Sequence, residues 1–516
     1  MQELPLNGFY ESTTTKNSVR RCVNLIPINE PSGGLSQNML ECPSGLSQIG
    51  PVEAASVTAT QDYSTAVSGE ITSQVSSVAV SPNAAASGSA GSQVIIPFQT
   101  FAMFYDGSTG KPTKLNFSDG FEYARVTSSQ SDIIICSPAY AGGNVGGNGS
   151  YCQISFPGTL ATTIDVLSEF PLNPTFHDVA YAGGRMVWVN YDITGSDRFR
   201  CYYSDIGDLV PLNTQFFSPD TSVSQLTGIH NLNGSLWVFD SDNAFLFTIT
   251  SSVTTPFQWQ RAATQAVGCA GPHAKAEVKG VLYTLGRVEN GSYSVVALTQ
   301  GRVSTPAVDA LIREKISTLS GSTQIFTQVK LFGYRDKGRD ILAVTVADLT
   351  LCYNVTDGRW FEMGDGDKWE VCGYGTVYGQ DVFIGRTITV SGSDITFNMS
   401  QPDLTIGTEF GETVERYFES GMFNAQQAPI RLAELEPQVQ VVGSDAENVF
   451  VSVSTDFGDT YGAERSNTVV SGDRRTRFMN WGLVRQAFVV KVRFLNDYPS
   501  KIVRLMSRLI TGGRDA

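Results

Sequence analysis

Charge is scarce in this chain of 516 residues: Asp, Glu, Lys and Arg together make up only 17%. That excludes a protein built from long, charge-laced helices or coiled coils. Histidine occurs three times, at His177, His230 and His273, far apart in sequence, so no metal cluster or Ser-His-Asp triad is encoded locally. The eight cysteines (Cys22, Cys42, Cys136, Cys152, Cys201, Cys269, Cys352 and Cys372) form no C-x-x-C pair, which argues against zinc and for buried free thiols. There is no G-x-S-x-G, no P-loop and no H-E-x-x-H. The Gly-rich run 142–149 precedes no helical pattern that would supply a phosphate-binding N-terminus. No catalytic, cofactor-binding or metal-binding residue is therefore assigned, and neither enzymatic activity nor a cofactor is expected. No apolar run approaches the roughly 18 residues of a membrane span. The start, Met1 to Asn7, lacks the basic and apolar regions of a secretory signal, so folding in a cytosol is expected. On that basis the six Asn-x-Ser/Thr triplets read as chance rather than as the sequons of a secreted adhesin.

What the chain has is turn and strand chemistry: 50 Gly, 29 Phe and 19 Tyr. One unit recurs, a polar turn, usually with Gly, followed by a short aromatic and β-branched strand. It reads Ser131–Cys136, then Gly184-Arg185-Met186-Val187-Trp188-Val189, Asn233-Gly234-Ser235-Leu236-Trp237-Val238 and Lys279-Gly280-Val281-Leu282-Tyr283. It returns as Lys337-Gly338-Arg339-Asp340-Ile341-Leu342 and Gly379-Gln380-Asp381-Val382-Phe383. A drifting period of roughly 40–50 residues is the spacing of propeller blades. The expectation is an all-β protein: a β-propeller of about six blades over 97–404 and a C-terminal β-sandwich over 405–516. In the latter, Phe450–Ser454 and Ala487–Phe494 alternate in period two. Residues 1–50 are expected to supply strands that pack on the propeller or the C-terminal domain. Residues 51–96, rich in Ser and Ala and without Lys or Arg, read as a flexible insertion. Only Val308–Leu319 has helical spacing.

The net charge of −14 is unevenly spread. Residues 465–516 hold eleven Lys/Arg and three Asp, which leaves −22 on the remainder. Two accounts of the basic block stand: pairing between sheets or subunits, and a patch for an acidic partner. Its candidate assembly residues are Arg474, Arg475, Arg477, Trp481, Arg485 and Arg493, planar donors and an aromatic anchor suited to an interface. The segment Ser454-Thr455-Asp456-Phe457-Gly458-Asp459-Thr460-Tyr461 resembles the Asp box of sialidases. Chemically it is a turn: an Asp accepts backbone N–H groups while Gly takes a positive φ. It occurs once, so a glycan-binding or glycan-cleaving propeller remains only the alternative reading.

Several segments in order are similar to the packaged-DNA stabilisation proteins of short-tailed bacteriophages, the tail hub or nozzle family. They are Val23-Asn24-Leu25-Ile26-Pro27 with Pro43-Ser44-Gly45-Leu46, Tyr203–Asp208 with Pro219-Asp220, Val267–Ala274 through Gly301–Pro306, and Ser452–Glu464 with Trp481–Arg493. Ser44 departs from the usual Pro-Gly. The resemblance implies a homohexameric virion ring in the tail, made in the bacterial host cytoplasm. It would follow the portal and adaptor (head–tail connector) protein, carry a tail spike or fibre and a needle or plug, and retain packaged double-stranded DNA. The DNA would later pass through the lumen without sequence-specific binding. The acidic balance fits a lumen along which DNA slides.

Overall fold

The computed structural model describes residues 21–29, 38–48, 176–190, 199–219, 224–364, 367–377, 380–391, 394–424, 429–441, 447–469, 472–485, 487–495 and 499–511. It also gives the backbones of Gln2–Leu4 and of short strands between Gly69 and Thr163. Nearly every element is a strand. Seven four-stranded antiparallel sheets lie in succession, over 76–116, 125–163, 176–217, 226–259, 275–302, 329–363 and 371–403. The seventh borrows its outer strand, Gly45–Gln48, from the N-terminal region through the pairing Ser400↔Gln48 to Asp403↔Gly45. Inner strands of successive sheets touch, segment 265–269 bonds the fourth sheet to the fifth, and the seventh meets the first, so the sheets close into a propeller.

The recurring sequence unit is the hairpin between the inner and second strands. At Gly183-Gly184, Asn233-Gly234, Lys279-Gly280 and Lys337-Gly338, both turn residues have φ between +48° and +78°. The flanking pairs Ala182↔Arg185, Leu232↔Ser235, Val278↔Val281 and Asp336↔Arg339 close two-residue loops. Positive φ at both positions defines the type I′ turn, whose twist matches that of the strands it joins. The strands that follow are buried on both faces, as at Met186-Val187-Trp188-Val189 and Leu236-Trp237-Val238-Phe239. Each such large side chain contributes about 1.5–3 kcal/mol. The count of about six blades rested on six of these units. The first sheet has none: its inner hairpin joins Ser76–Val78 to Gln93–Pro97 across the low-complexity run, which lies outside the described residues.

The expected helix is present at Pro306–Ser317, with proline in its first turn and the Thr305 hydroxyl accepting from Val308 N at 3.3 Å. A second helix, Gly321–Gln328, has no charged residue and was not legible from periodicity. Among the described residues no helix is long and apolar enough to cross a membrane.

Beyond the seventh blade two sheets face each other. One centres on Ile430–Val441, which pairs with Ser500–Thr511, Phe478–Val484 and Gly472–Arg475, and extends through Gln2–Leu4, Asn38–Glu41 and Ile26–Asn29. The other orders Glu415–Glu419, Ala487–Leu495, Glu447–Ser454 and Arg465–Val469. Leu432, Leu435, Val439, Val451, Val490, Val492 and Ile502 fill the space between them. Arg21–Val23 joins this second sheet to blade six, antiparallel to Glu415–Glu419 and parallel to Arg359–Met363. Propeller and sandwich therefore share one continuous sheet.

Candidate functional site: assembly face and propeller axis

Strand Ile430–Val441 carries a bulge at Ala433 that adds one residue, so Leu432 and Leu435 both turn to the core. Beyond it, Glu434, Glu436 and Gln438 point to the opposite face, yet all three are buried. Long side chains cover them. Arg477 Nε donates to Glu436 Oε2 at 2.8 Å and lies 3.4 Å from Glu434 Oε1, and Arg475 Nε is 3.8 Å from Glu436 Oε1. Both arginines remain more than half exposed. Cross-strand partners share a face. Leu483, Arg431 and Ile510 therefore form one exposed row, and in the next the exposed Met479 and Arg508 flank the buried Glu434. The outer face of this sheet is a field of arginines and aliphatic side chains over two sunken carboxylates.

The six residues expected at an assembly surface divide between the two sheets. Arg474 lies opposite Val439 on the strand that also carries Arg475, but its side chain falls outside the described residues. Trp481 is half-buried. Its indole N–H donates to Phe478 O at 3.0 Å, and the Arg465 guanidinium covers its ring at 4.3 Å. Arg485 is exposed at the end of that strand. Arg493 belongs to the other sheet. It grips Glu464 through two bonds of 2.9 and 2.5 Å and stacks on Phe450 at 4.4 Å. The carboxylates facing Arg475, Arg477 and Arg493 are thus supplied by the same chain. Arg431, Glu434, Glu436 and Arg508 were not singled out from sequence, although the alternation Leu432-Ala433-Glu434-Leu435-Glu436 was there to be read.

Among the described residues, buried polar contacts tie the inner strands of blades three, four and five. Asp178 on the inner strand of blade three and Lys275 on that of blade five are both wholly inaccessible, with Nζ 2.5 Å from Oδ2. Lys275 also donates to Pro272 O at 2.6 Å, and Asp178 accepts from Ile229 N of blade four at 2.8 Å. One buried ion pair thereby ties three blades. Gly228 lies against it, where a Cβ would come within 2.9 Å of Lys275 Nζ. The His177 ring of blade three stacks at 6.2 Å on Phe326, from the helix that leads into blade six. Blades three and six stand on opposite sides of a seven-blade ring, so this helix closes the space between them.

The histidines do gather near the inner strands. His177 and His273 are buried, and His230 Nε2 lies 3.5 Å from Glu277 Oε2, an approach that holds Glu277 below its usual range. No group of three metal-ligating side chains exists among the described residues. The six described cysteines are buried and free, and burial pushes Cys201 and Cys352 far above the ordinary thiol range. The Asp box is a turn in the sandwich, between Glu447–Ser454 and Arg465–Val469. Ser454 Oγ and Thr460 N bond to Asp456 Oδ1 at 2.6 and 2.9 Å, with Phe457 and Gly458 at positive φ. The Ser454 and Thr460 hydrogen bonds hold Asp456 well below the carboxylate range.

No curated protein matches the chain. Solved structures similar to it include exo-β-1,3-galactanase from Phanerochaete chrysosporium, at 11% identity and TM-score 0.28, covering 90% of this chain and all of that one. Another is PorZ, a surface component of the type-IX secretion system of Porphyromonas gingivalis, at 12% identity and TM-score 0.36, covering 71% of this chain and 43% of that one. A third is the Cps50 (Swd1) β-propeller domain of Myceliophteria thermophila, at 10% and 0.32, covering 52% and 78%. Residues 2–407, from the first strand of the sandwich through all seven blades, match the model of the family described as bacteriophage P22 Gp10, β-propeller, and the chain belongs to this family of phage packaged-DNA stabilisation proteins.

Proposed function

We propose that copies of this chain form a ring, six-fold by the family resemblance, beneath the phage portal and adaptor. There the ring closes the exit channel, retains packaged double-stranded DNA, anchors a spike or fibre and a needle or plug, and later becomes the ejection conduit. The observation that carries this reading is the family match over residues 2–407. In this reading no duplex threads the inner strands tied by the Asp178–Lys275 pair. The conduit is therefore the space bounded by several copies, and each propeller is part of its wall. A net charge of −22 outside the C-terminal block disfavours adhesion of DNA to that wall, so retention comes from closure rather than affinity.

The arginine-rich outer sheet face is the assembly contact in this reading. Arg475 and Arg477 are exposed enough to answer a second carboxylate while holding Glu436. Arg and Met are enriched at interfaces, and Arg475, Arg477 and Met479 stand together here. Electron microscopy of the purified chain tests the ring: six-fold particles with an axial lumen are expected, and a uniform monomer with the adaptor present would sink the proposal. Arg475→Glu with Arg477→Glu should abolish assembly or docking, and circular dichroism must show the monomer still folded, because Glu434 and Glu436 lose their cations. Sub-micromolar duplex binding in physiological salt would refute retention by closure.

A further inference from the structure

At the outer edge where blades three and four meet lies a cleft of about 590 Å³ that neither the channel nor the assembly face uses. Its floor is aromatic. Phe217 closes blade three and packs at 4.7 Å on Phe247 and 4.8 Å on Phe257, both buried residues of blade four. Trp259 forms a wall, with the Arg261 guanidinium 5.0 Å from its ring centre. The rim is hydroxyl and amide: Ser218, Thr255 and the exposed Gln258.

An aromatic floor beneath neutral hydrogen-bonding groups fits a pyranose ring, which has an apolar C–H face and a hydroxyl edge. A purely apolar ligand would leave the rim unsatisfied. A peptide added as a strand would need a longer template than the three-residue edge strand Phe257–Trp259. We propose that this cleft binds a short oligosaccharide. It does not cleave it, because its described lining holds no carboxylate and glycoside hydrolysis ordinarily uses a pair of them. The proposal is independent of ring formation.

The test is an array of oligosaccharides from bacterial O-polysaccharides and capsules, probed with the full-length chain. Retention on at least one glycan is expected. Trp259→Ala should weaken it about 10-fold, the equivalent of about 1.4 kcal/mol, and the glycan should be recovered intact by mass spectrometry. If Trp259→Ala lowers the melting temperature, Gln258→Ala, at an exposed position, takes its place, with a loss of about three-fold expected for one hydrogen bond. No retained glycan, or retention unchanged in both variants, overturns the proposal. Cleavage of the glycan overturns its binding-only form.

Discussion

Glu41 holds together the three parts of the chain that the sequence separates most widely. Its carboxylate, only 8% exposed, lies 3.0 Å from Arg339 Nη1, 3.2 Å from Lys501 Nζ and 3.4 Å from Lys337 Nζ. Lys337 is the first residue of the type I′ turn of blade six and Arg339 follows it, Lys501 is the second residue of the last sandwich strand, and Glu41 ends an N-terminal strand. At an effective dielectric of about 20, one unit pair at such a distance is worth about 5 kcal/mol before desolvation. Desolvation takes back much of this, and the net cost of removing one partner from a buried cluster is about 3–5 kcal/mol. Glu41→Gln keeps the shape and leaves three cations facing a neutral amide, so that cost is expected at pH 7. Burial raises the Glu41 pKa, but Lys337, Lys501 and Arg339 more than offset it, and the carboxyl sits below its ordinary value of 4.5. A folded pKa below the unfolded one means the stabilisation is full above about 4.5 and is lost as pH falls through the folded value. Urea unfolding followed by tryptophan fluorescence should show a gap of about 3–5 kcal/mol between wild type and Glu41→Gln at pH 7, narrowing as the pH falls below about 4.5. A gap under about 1 kcal/mol at pH 7, or one that does not narrow in acid, would refute the reasoning.

The Asp178–Lys275 pair is more deeply buried, so Lys275→Met should cost about 3–5 kcal/mol in the same assay by stranding the aspartate. Adding Asp178→Leu should recover only part of it, because Val179 N and Ile229 N then lose their acceptor. In Gly286→Ala the new Cβ would stand 1.8 Å from the Gly268 carbonyl oxygen, backbone that cannot swing aside, and a loss of at least about 3 kcal/mol in chemical denaturation is expected. Asp456→Ala should speed amide exchange at Thr460, whose N–H it releases, without altering assembly measured by light scattering; a change in assembly would give the Asp box a role beyond its turn.

Local chemistry made the blades legible. A residue-plus-glycine pair ahead of a β-branched and aromatic run encodes a type I′ hairpin within a few residues, and Asn233-Gly234, Lys279-Gly280 and Lys337-Gly338 each read that way without knowledge of any partner. What stayed hidden depends on contacts distant in sequence. Gly45–Gln48 completes a blade some 350 residues away, and Arg21–Val23 fuses sandwich to propeller through partners near 360 and 417. The second helix has too few apolar positions to show a period, and Phe326 finds its place only because His177 lies across the ring. The basic C-terminal block was legible as charge but not as geometry. Arg493 looks like a surface donor in sequence, yet it is spoken for by Glu464 and Phe450.

That distinction bears on how a propeller serves a channel. A recurring blade pattern suggests a ring around a hole, and a DNA-retaining family invites the thought that the hole is the exit. The inner strands argue otherwise. A buried ion pair with both charges inaccessible is tolerated where the geometry is fixed and further hydrogen bonds satisfy the remaining atoms. Pro272 O and the two backbone N–H groups on Asp178 meet that condition. Separating these inner strands would break the pair. The described inner strands of blades three to five are thus tied firmly to one another. In the proposed ring such a propeller would serve as wall, and gating would fall to the contacts between copies, for which the exposed Arg475 and Arg477 are the candidates.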